Sequence, residues 1–400
     1  MEQLMRTALV GTSLRENEWR LPLHPAHFST LPEAVRAAIY IEEGYGAHFD
    51  VADDELRPFV AGILPRERLL AEADLIVITK PMPQDYDLMR PDTTFFGWVH
   101  AVSRPGTIQK AIDKRLTLIA WEAMNKWHPG GEWDMHIFNR NSEMAGYCGV
   151  AHCFGLMGVD GFYGPPMKAA VFGLGSAAHG AMFALSQRGV RDIVAYGFQR
   201  PALVPRRMQT VEYREVRRRD DGSLLVVDGD ECHPLIDDLK DRDVIFNGLL
   251  QDPANPVFIL TADDVKGMPP GTLVLDISSD EGVGFPVSRT TTFDEPMFQA
   301  GPINYYSVPH TPSYLHRAST WEISTAVLPY LETVMRGPEA WETDETVRRA
   351  VEVWNGVVLN KTILESQHRA SDYPHELAAD RPAPHDPEDE VEAPAGVSSV

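Results

Sequence analysis

Short apolar runs alternate with amphipathic stretches along most of the chain, and this alternation predicts an α/β fold. Thr7–Val10, Leu75–Ile78, Thr94–Val99 and Leu116–Ala120 read as buried strands. Leu31–Tyr40, with Ser29 or Thr30 as its cap, reads as a helix, as do Arg66–Glu72 and Pro105–Asp113. An apolar helix over Ser142–Met157 opens a second series of strands at Ala169–Phe172, Asp192–Tyr196, Val244–Phe246 and Leu273–Asp276. Between them, Tyr213–Asp230 reads as a charged hairpin or loop, with Arg217–Arg219 solvated. From Ala318 to about Leu364 a helical pattern returns, broken near Gly337-Pro338. Strands separated by helices imply parallel sheets, here in two halves.

One strand–turn–helix junction carries more than pattern. The run Ala169–Phe172 ends in Gly173-Leu-Gly175-Ser176-Ala-Ala178, and a helical pattern follows through Ser186. This is the setting in which a G-x-G-x-x-A motif suits a dinucleotide. The first glycine permits the tight turn, and the second lets backbone approach a pyrophosphate. Ala178 and Gly180 let the helix pack closely on the strand, with its N-terminus toward the phosphates. Glycine turns after strands are also common without a ligand. The motif lies near the middle of the chain, so a substantial domain precedes it.

Composition narrows the class. Four hundred residues, 44% hydrophobic and 24% charged, suit two globular domains. A net charge of -22 argues against nucleic-acid or anionic-membrane partners, which need a basic footprint. From about Asp372 the chain is rich in Pro, Asp, Glu and Ala, and residues 373–400 are expected to form a disordered acidic tail. The three cysteines, Cys148, Cys153 and Cys232, form no disulfide framework; the first two read as core residues. With no signal-peptide pattern and no bilayer-length apolar run, a cytoplasmic setting is expected. No histidine spacing points to a metal.

Several further segments, in order, are similar to one known family. Glu18-Trp-Arg20-Leu-Pro-Leu-His-Pro25 resembles an E-N-R-V-x-L-x-P signature, and Thr79-Lys80-Pro-Met-Pro83 with Tyr86 and Leu88 resembles a V-K-E-P…E-Y…L segment. Phe96-Gly-Trp-Val-His100 resembles F-x-Y-L-H, and Asn141-Ser-Glu-Met-Ala-Gly146 resembles M-S-E-V-A-G. These are motifs of the alanine dehydrogenase and pyridine-nucleotide transhydrogenase superfamily, and the resemblance covers about residues 5 to 370. Within it the chain looks most like the N5-(carboxyethyl)ornithine synthases. That closer likeness rests on Asn247–Pro256, on Asp276–Phe285 with Thr290–Asp294, and on His310–Leu315 with Ser319–Glu322. Alanine dehydrogenases carry D-Q-G-G where this chain has Asp280-Glu-Gly-Val-Gly284.

The resemblance implies a site and a reaction. It places Arg20 and Lys80 on the carboxylate of a 2-oxo acid, pyruvate being the first choice. The chemistry agrees, since a guanidinium offers a bidentate fork and lysine a second charge. Taken alone, Arg20 could equally be a surface salt-bridge residue and Lys80 an exposed loop lysine. His100 reads either as a satisfied histidine at a strand edge or, following the resemblance, as a general acid titrating near neutrality. Asp280 would handle the amine proton, with Asp276 as the rival that holds loop backbone instead. The implied reaction is reductive condensation. A side-chain amine of an amino acid such as ornithine or lysine attacks the oxo acid, water leaves, and hydride reduces the imine. An alanine dehydrogenase-like or saccharopine dehydrogenase-like amino-acid dehydrogenase is the alternative.

Cofactor choice follows from the strand Asp192–Tyr196. NAD enzymes place an acid past this strand on the ribose 2′-hydroxyl, whereas here the chain reads Tyr196-Gly-Phe-Gln-Arg200. That favours NADPH, with NADH possible. Expected cofactor-binding residues are Gly173, Gly175, Ser176, Ala178, Arg200 and Asn247. The expected architecture is two Rossmann-like domains: a discontinuous catalytic domain from residues 1–140 plus 308–372, and a central dinucleotide-binding domain at 141–307. The expected partners are a 2-oxo acid, an amino acid and further copies of the chain in a homo-oligomer.

Overall fold

The apolar runs of the N-terminal stretch become strands that are covered on both faces. They are β1 (Thr7–Leu9), β2 (Ile39–Glu42), β3 (Gly62–Leu64), β4 (Leu75–Ile78), β5 (Thr94–Gly97) and β6 (Thr117–Ala120). All six run parallel, in the order β3-β2-β1-β4-β5-β6. Alternate residues feed opposite faces. Leu9, Leu75 and Val77 pack with Ile323, Val327 and Leu331 of the helix His316–Arg336. Ala8, Ile76 and Ile78 pack with Leu69, Ile108 and Ile112 on the other side. Burial on both faces explains why these strands are continuously apolar rather than alternating.

This computed structural model describes residues 4–251, 256–278 and 282–378. The chain divides into two compact units, Met1–Phe138 with His316–Val400, and Asn139–Leu315. The second unit repeats the plan of the first. Its strands β7 (Lys168–Phe172), β8 (Asp192–Gly197), β9 (Glu212–Arg218), β10 (Val244–Asn247), β11 (Leu273–Asp276) and β12 (Ile303–Tyr306) are parallel, in the order β9-β8-β7-β10-β11-β12. In both units the first strand lies third in the sheet, so the winding reverses between the first and fourth strands. This is the doubly wound Rossmann order, with its ligand crevice at that switch point. The two-part α/β expectation is therefore met.

Helices α1 (Asn139–Met157) and α2 (Ser176–Gln187) cover one face of the second sheet. They cross at small residues. A methyl group on Gly146 would lie 1.9 Å from the Ala177 carbonyl oxygen, and one on Gly180 would lie 1.8 Å from that of Glu143. Cys148 and Cys153 are buried along α1, while Cys232 is exposed.

Four local expectations need correction. The helix expected over Leu31–Tyr40 is only Glu33–Arg36, because Ile39–Glu42 joins the sheet beside β1. Tyr213–Asp230 is not only a hairpin: Glu212–Arg218 is the parallel strand β9, with Tyr213 and Val216 inward, and Leu224–Asp228 begins an antiparallel edge. The helical pattern from Ala318 stops short, since Val351–Trp354 and Val357–Val358 form a hairpin that pairs antiparallel with β6. Its loop is Asn355-Gly356, both residues at positive φ, the backbone a two-residue hairpin needs. The tail begins later than residue 373: Leu377 bridges Arg369, and His375 is buried, accepting the Val358 N–H at Nε2. The rest of the expected tail, 379–400, lies outside the described residues.

The hairpin also buries a carboxyl group. Glu352 takes one hydrogen bond from the Asn360 side chain, while its Oε2 has no hydrogen-bond partner. Burial, with the Glu122 charge nearby, pushes its pKa up from 4.5 to about 7. The folded state thus holds a proton that the unfolded chain has released. The group's contribution to stability is fully present below about pH 4.5 and is lost as pH rises through about 7. Glu352→Gln is expected to gain stability over the parent as pH rises from 5 to 8, by on the order of 3 kcal/mol at the upper end. Identical pH dependence of urea unfolding in the two proteins would refute this.

Candidate active site

The C-terminal ends of the first unit's strands carry its chemistry. After β1 the backbone N–H groups of Gly11 and Thr12 donate to the buried Glu42 carboxylate at 2.8 Å each, which fixes that turn. The Ser13 hydroxyl then donates to the Lys80 carbonyl at 2.9 Å, tying it to the segment after β4. That segment is braced by Asp85, which is fully buried, accepts from the Met82 N–H and pairs with Arg66 at 2.6 Å. Lys80 therefore stands at the β1/β4 switch point on a constrained loop.

His100 follows β5 and sits in the left-handed region, φ 52° and ψ 40°. Few residues other than glycine adopt it without support. Here the Glu122 carboxylate, just past β6, accepts the backbone N–H groups of His100 and Val99, the latter at 3.2 Å. The imidazole Nε2 lies 2.8 Å from Lys80 Nζ. Both side chains keep some exposed surface but are densely surrounded by protein. Burial, then the charges of Arg15, Arg20 and Arg104, hold Lys80 well below the usual lysine range. Burial, then Lys80 and the same three arginines, hold His100 well below its usual value. Burial first, and the cationic surround second, thus disfavour the charged form of both groups, and an incoming anion would oppose the second cause.

Arg20 is 4% exposed and Glu18 3%, so their ion pair is buried and not a surface contact. Arg20 Nε donates to Glu18 Oε1 at 2.7 Å, and its guanidinium lies 5.3 Å from the Trp98 ring centre. Trp98 in turn packs on Trp121 and Phe138. Arg20, Lys80 and His100 are therefore brought together in one electrostatic environment. Arg15, Arg104 and Glu122 join them and were not singled out by sequence. The signal for Glu122 was its place: like Lys80 and His100, it directly follows a parallel strand.

The second unit places the glycine motif at its own switch point. Gly173 has φ +99°, and a side chain there would lie 2.7 Å from the Gly248 carbonyl oxygen, next to Asn247 at the end of β10. Gly175, whose Cβ position is open, is the N-cap of α2, so Ser176 and the buried Ala178 form its first turn. These residues fit a dinucleotide's pyrophosphate: a bare backbone cradle, a helix N-terminus and no side chain in the way. Asn247 is buried and donates to Asp276 Oδ1 at 3.0 Å. Asp276 also accepts the Ser278 N–H at 3.0 Å and the Tyr305 hydroxyl, so it holds loop backbone. Asp280 and Glu281 lie outside the described residues.

Arg200 is exposed just beyond β8 and lines a cleft of about 480 Å³ with Glu212, Tyr213, Arg214 and Glu215. The β8/β9 register sets Glu215 beside Gly197, so an acid from the neighbouring strand reaches the strand end where β8 itself has none. Glu215 accepts from Arg217 at 2.9 Å. Among the described residues no group of His, Cys, Asp and Glu could hold a metal ion, and no helix is long and apolar enough to cross a membrane.

Comparison with known proteins adds the lineage. Residues 12–145 match the alanine dehydrogenase/PNT N-terminal domain and residues 206–361 the C-terminal domain of the same family. An alanine dehydrogenase of Mycolicibacterium smegmatis is 26% identical over 376 residues, covering 89% of this chain and 96% of its own. An N(5)-(carboxyethyl)ornithine synthase of Lactococcus lactis subsp. lactis is 26% identical over 335 residues, covering 80% and 92%. In fold, an L-alanine dehydrogenase structure superposes with a TM-score of 0.69 at 18% identity, covering 90% of this chain and 98% of that one. A transhydrogenase from Sinorhizobium meliloti superposes with a TM-score of 0.68 at 16% identity, covering 88% and 98%. With both domain models matched in order, the chain belongs to the alanine dehydrogenase/PNT family of pyridine-nucleotide oxidoreductases.

Proposed function

We propose that this enzyme reductively joins a 2-oxo acid to the side-chain amine of an amino acid, with NADPH as reductant. The observation that carries the reading is the Lys80–His100 hydrogen bond at the switch point of the first sheet, under the charges of Arg15, Arg20 and Arg104. An anionic carboxylate is the natural occupant, held by Arg20 and Lys80. Pyruvate is the first oxo acid to test, and ornithine or lysine the first amine. The alanine dehydrogenase and the carboxyethylornithine synthase are equally similar, at 26% identity each, so the support for condensation over simple deamination is the Asp280-Glu281-Gly282-Val283-Gly284 departure from the alanine dehydrogenase motif.

His100 delivers a proton to the carbinolamine oxygen, which leaves as water and gives the imine. A nicotinamide cofactor held at Gly173, Gly175, Ser176 and Ala178 would supply the hydride that the imine carbon accepts. Overall, oxo acid, ammonium, reduced cofactor and one proton yield a secondary ammonium, water and oxidised cofactor. Glu122 keeps His100 aimed through its backbone, and Trp98, backed by Trp121 and Phe138, packs against the Arg20 guanidinium.

The carboxylate also arms the acid. Its charge would raise the proton affinity of Lys80 and His100, which burial and the neighbouring arginines suppress. Binding of the oxo acid at pH 7 is therefore expected to take up protons from solution. Calorimetry in two buffers of different ionisation enthalpy reads this directly, and zero uptake would contradict the charge argument.

Arg200, beyond a strand end with no acid of its own, supports NADPH. Glu215 beside Gly197 is the observation favouring NADH, and kcat/KM with each cofactor decides. The function test is a panel of amino acids with pyruvate and NADPH, followed by mass spectrometry of the products. A secondary amine formed only when all three are present supports the proposal. Ammonia-dependent NADH oxidation, with alanine as product and no secondary amine, favours an alanine dehydrogenase.

A further inference from the structure

We propose that Gln367, held in place by Arg369, is a positioning residue that sets the backbone of the His100 turn from the C-terminal side. The inference rests on the acid role proposed for His100. It concerns a part of the chain beyond the family match, which ends at residue 361.

Three observations converge on the turn. Gln367 is 1% exposed, and its side-chain amide donates to the Ala101 carbonyl at 2.7 Å, immediately after His100. The Ala101 carbonyl also accepts the Arg104 N–H at 3.3 Å, so both ends of this short turn meet at one oxygen. Arg369 then locks the amide. Its Nε donates to Gln367 Oε1 at 2.8 Å, while its other nitrogens reach the Pro105 carbonyl at 3.1 Å and Gln109 Oε1 at 2.8 Å.

The direction of the amide is thereby fixed. Gln367 Oε1 faces a donor that has no acceptor capacity, so Nε2 must face the carbonyls. His100 is gripped from two sides: Glu122 takes its N–H, and Gln367 holds the carbonyl of the next residue. A left-handed residue persists only where its surroundings over-determine it, and these contacts do so. The same turn carries Arg104, one of the charges that suppress the Lys80–His100 pair. Gln367 therefore governs both the aim of the imidazole and part of its electrostatic setting.

Gln367→Met matches the side chain in length and removes the amide; Gln367→Glu serves if that variant does not fold. Kinetics with oxo acid, amine and NADPH are read as kcat, KM for each substrate and the pH profile of kcat. In parallel, the pH dependence of diethylpyrocarbonate modification at His100 is followed by peptide mass mapping, which needs no turnover. The expected result is a kcat lower by roughly 10- to 100-fold, an unchanged KM for NADPH, and a displaced pH limb with a matching displacement in His100 modification. A variant that melts earlier but keeps the parent kcat, pH profile and His100 modification profile overturns the proposal. If the parent enzyme catalyses no condensation, the functional reading fails, and His100 modification alone then decides the structural one: displaced supports it, unchanged overturns it.

Discussion

His100→Asn is expected to lower kcat by about 10²- to 10⁴-fold while leaving the KM for NADPH unchanged. Asparagine is the informative replacement because, like histidine, it is among the non-glycine residues enriched at positive φ, and His100 sits at φ 52°. Glu122 would still accept the two backbone N–H groups, so the turn should survive. What is lost is the group that can carry a proton to the leaving oxygen, together with the Lys80 contact at 2.8 Å. Steady-state kinetics and a melting curve on the same sample separate the effects. A kcat within threefold of the parent would remove His100 from the proton path.

Arg20→Ala is expected to fail twice, in stability and in oxo-acid binding. It strands Glu18, a carboxylate 3% exposed, without the guanidinium that it pairs with. Breaking a buried pair from one side costs about 3–5 kcal/mol. It also removes the cation proposed to attract the oxo-acid carboxylate, whose Nε/Nη2 edge pairs with Glu18, so the KM for that substrate should rise at least about tenfold, the equivalent of 1.4 kcal/mol. The double variant Glu18→Gln/Arg20→Met separates the two losses. It should recover most of the stability in urea unfolding and none of the affinity. Recovery of both, or an unchanged KM in Arg20→Ala, would show that Arg20 serves the fold alone.

Much of this arrangement is legible in sequence because the strands are buried on both faces. Continuous runs such as Leu75–Ile78 announce themselves, and each strand end then marks a place for chemistry. The family motifs pick out Arg20, Lys80 and His100, and the placement of the last two just past β4 and β5 agrees with them. Glu122 is found only by applying the same rule to β6. The Asn355-Gly356 hairpin is also written in the sequence, although helical periodicity across Ala318–Leu364 obscures it. The shortfall at Leu31–Tyr40 has another cause: Ile39 and Ile41 suit either state, and pairing with β1 decides.

Other parts are not legible at all. Gln367 acts 266 residues away from the carbonyl it holds, and nothing local distinguishes it from a solvated helix-end glutamine. Glu215 reaches the end of β8 only through strand register, which no reading of Tyr196–Arg200 can supply. The buried Arg20 guanidinium lies over Trp98, which packs with Trp121 and Phe138 from two further segments, a meeting that no local pattern announces.

The central claim is that hydride reaches a carbon already joined to a second amino acid's nitrogen. The most direct test supplies NADPH deuterated at the nicotinamide C4 position with pyruvate and ornithine, and then lysine, and weighs the product. The account predicts a secondary amine carrying one deuterium on the carbon derived from the pyruvate ketone, and no such product when either partner is omitted. Deuterated alanine formed from pyruvate and ammonia, with no secondary amine from any amine tested, would contradict it.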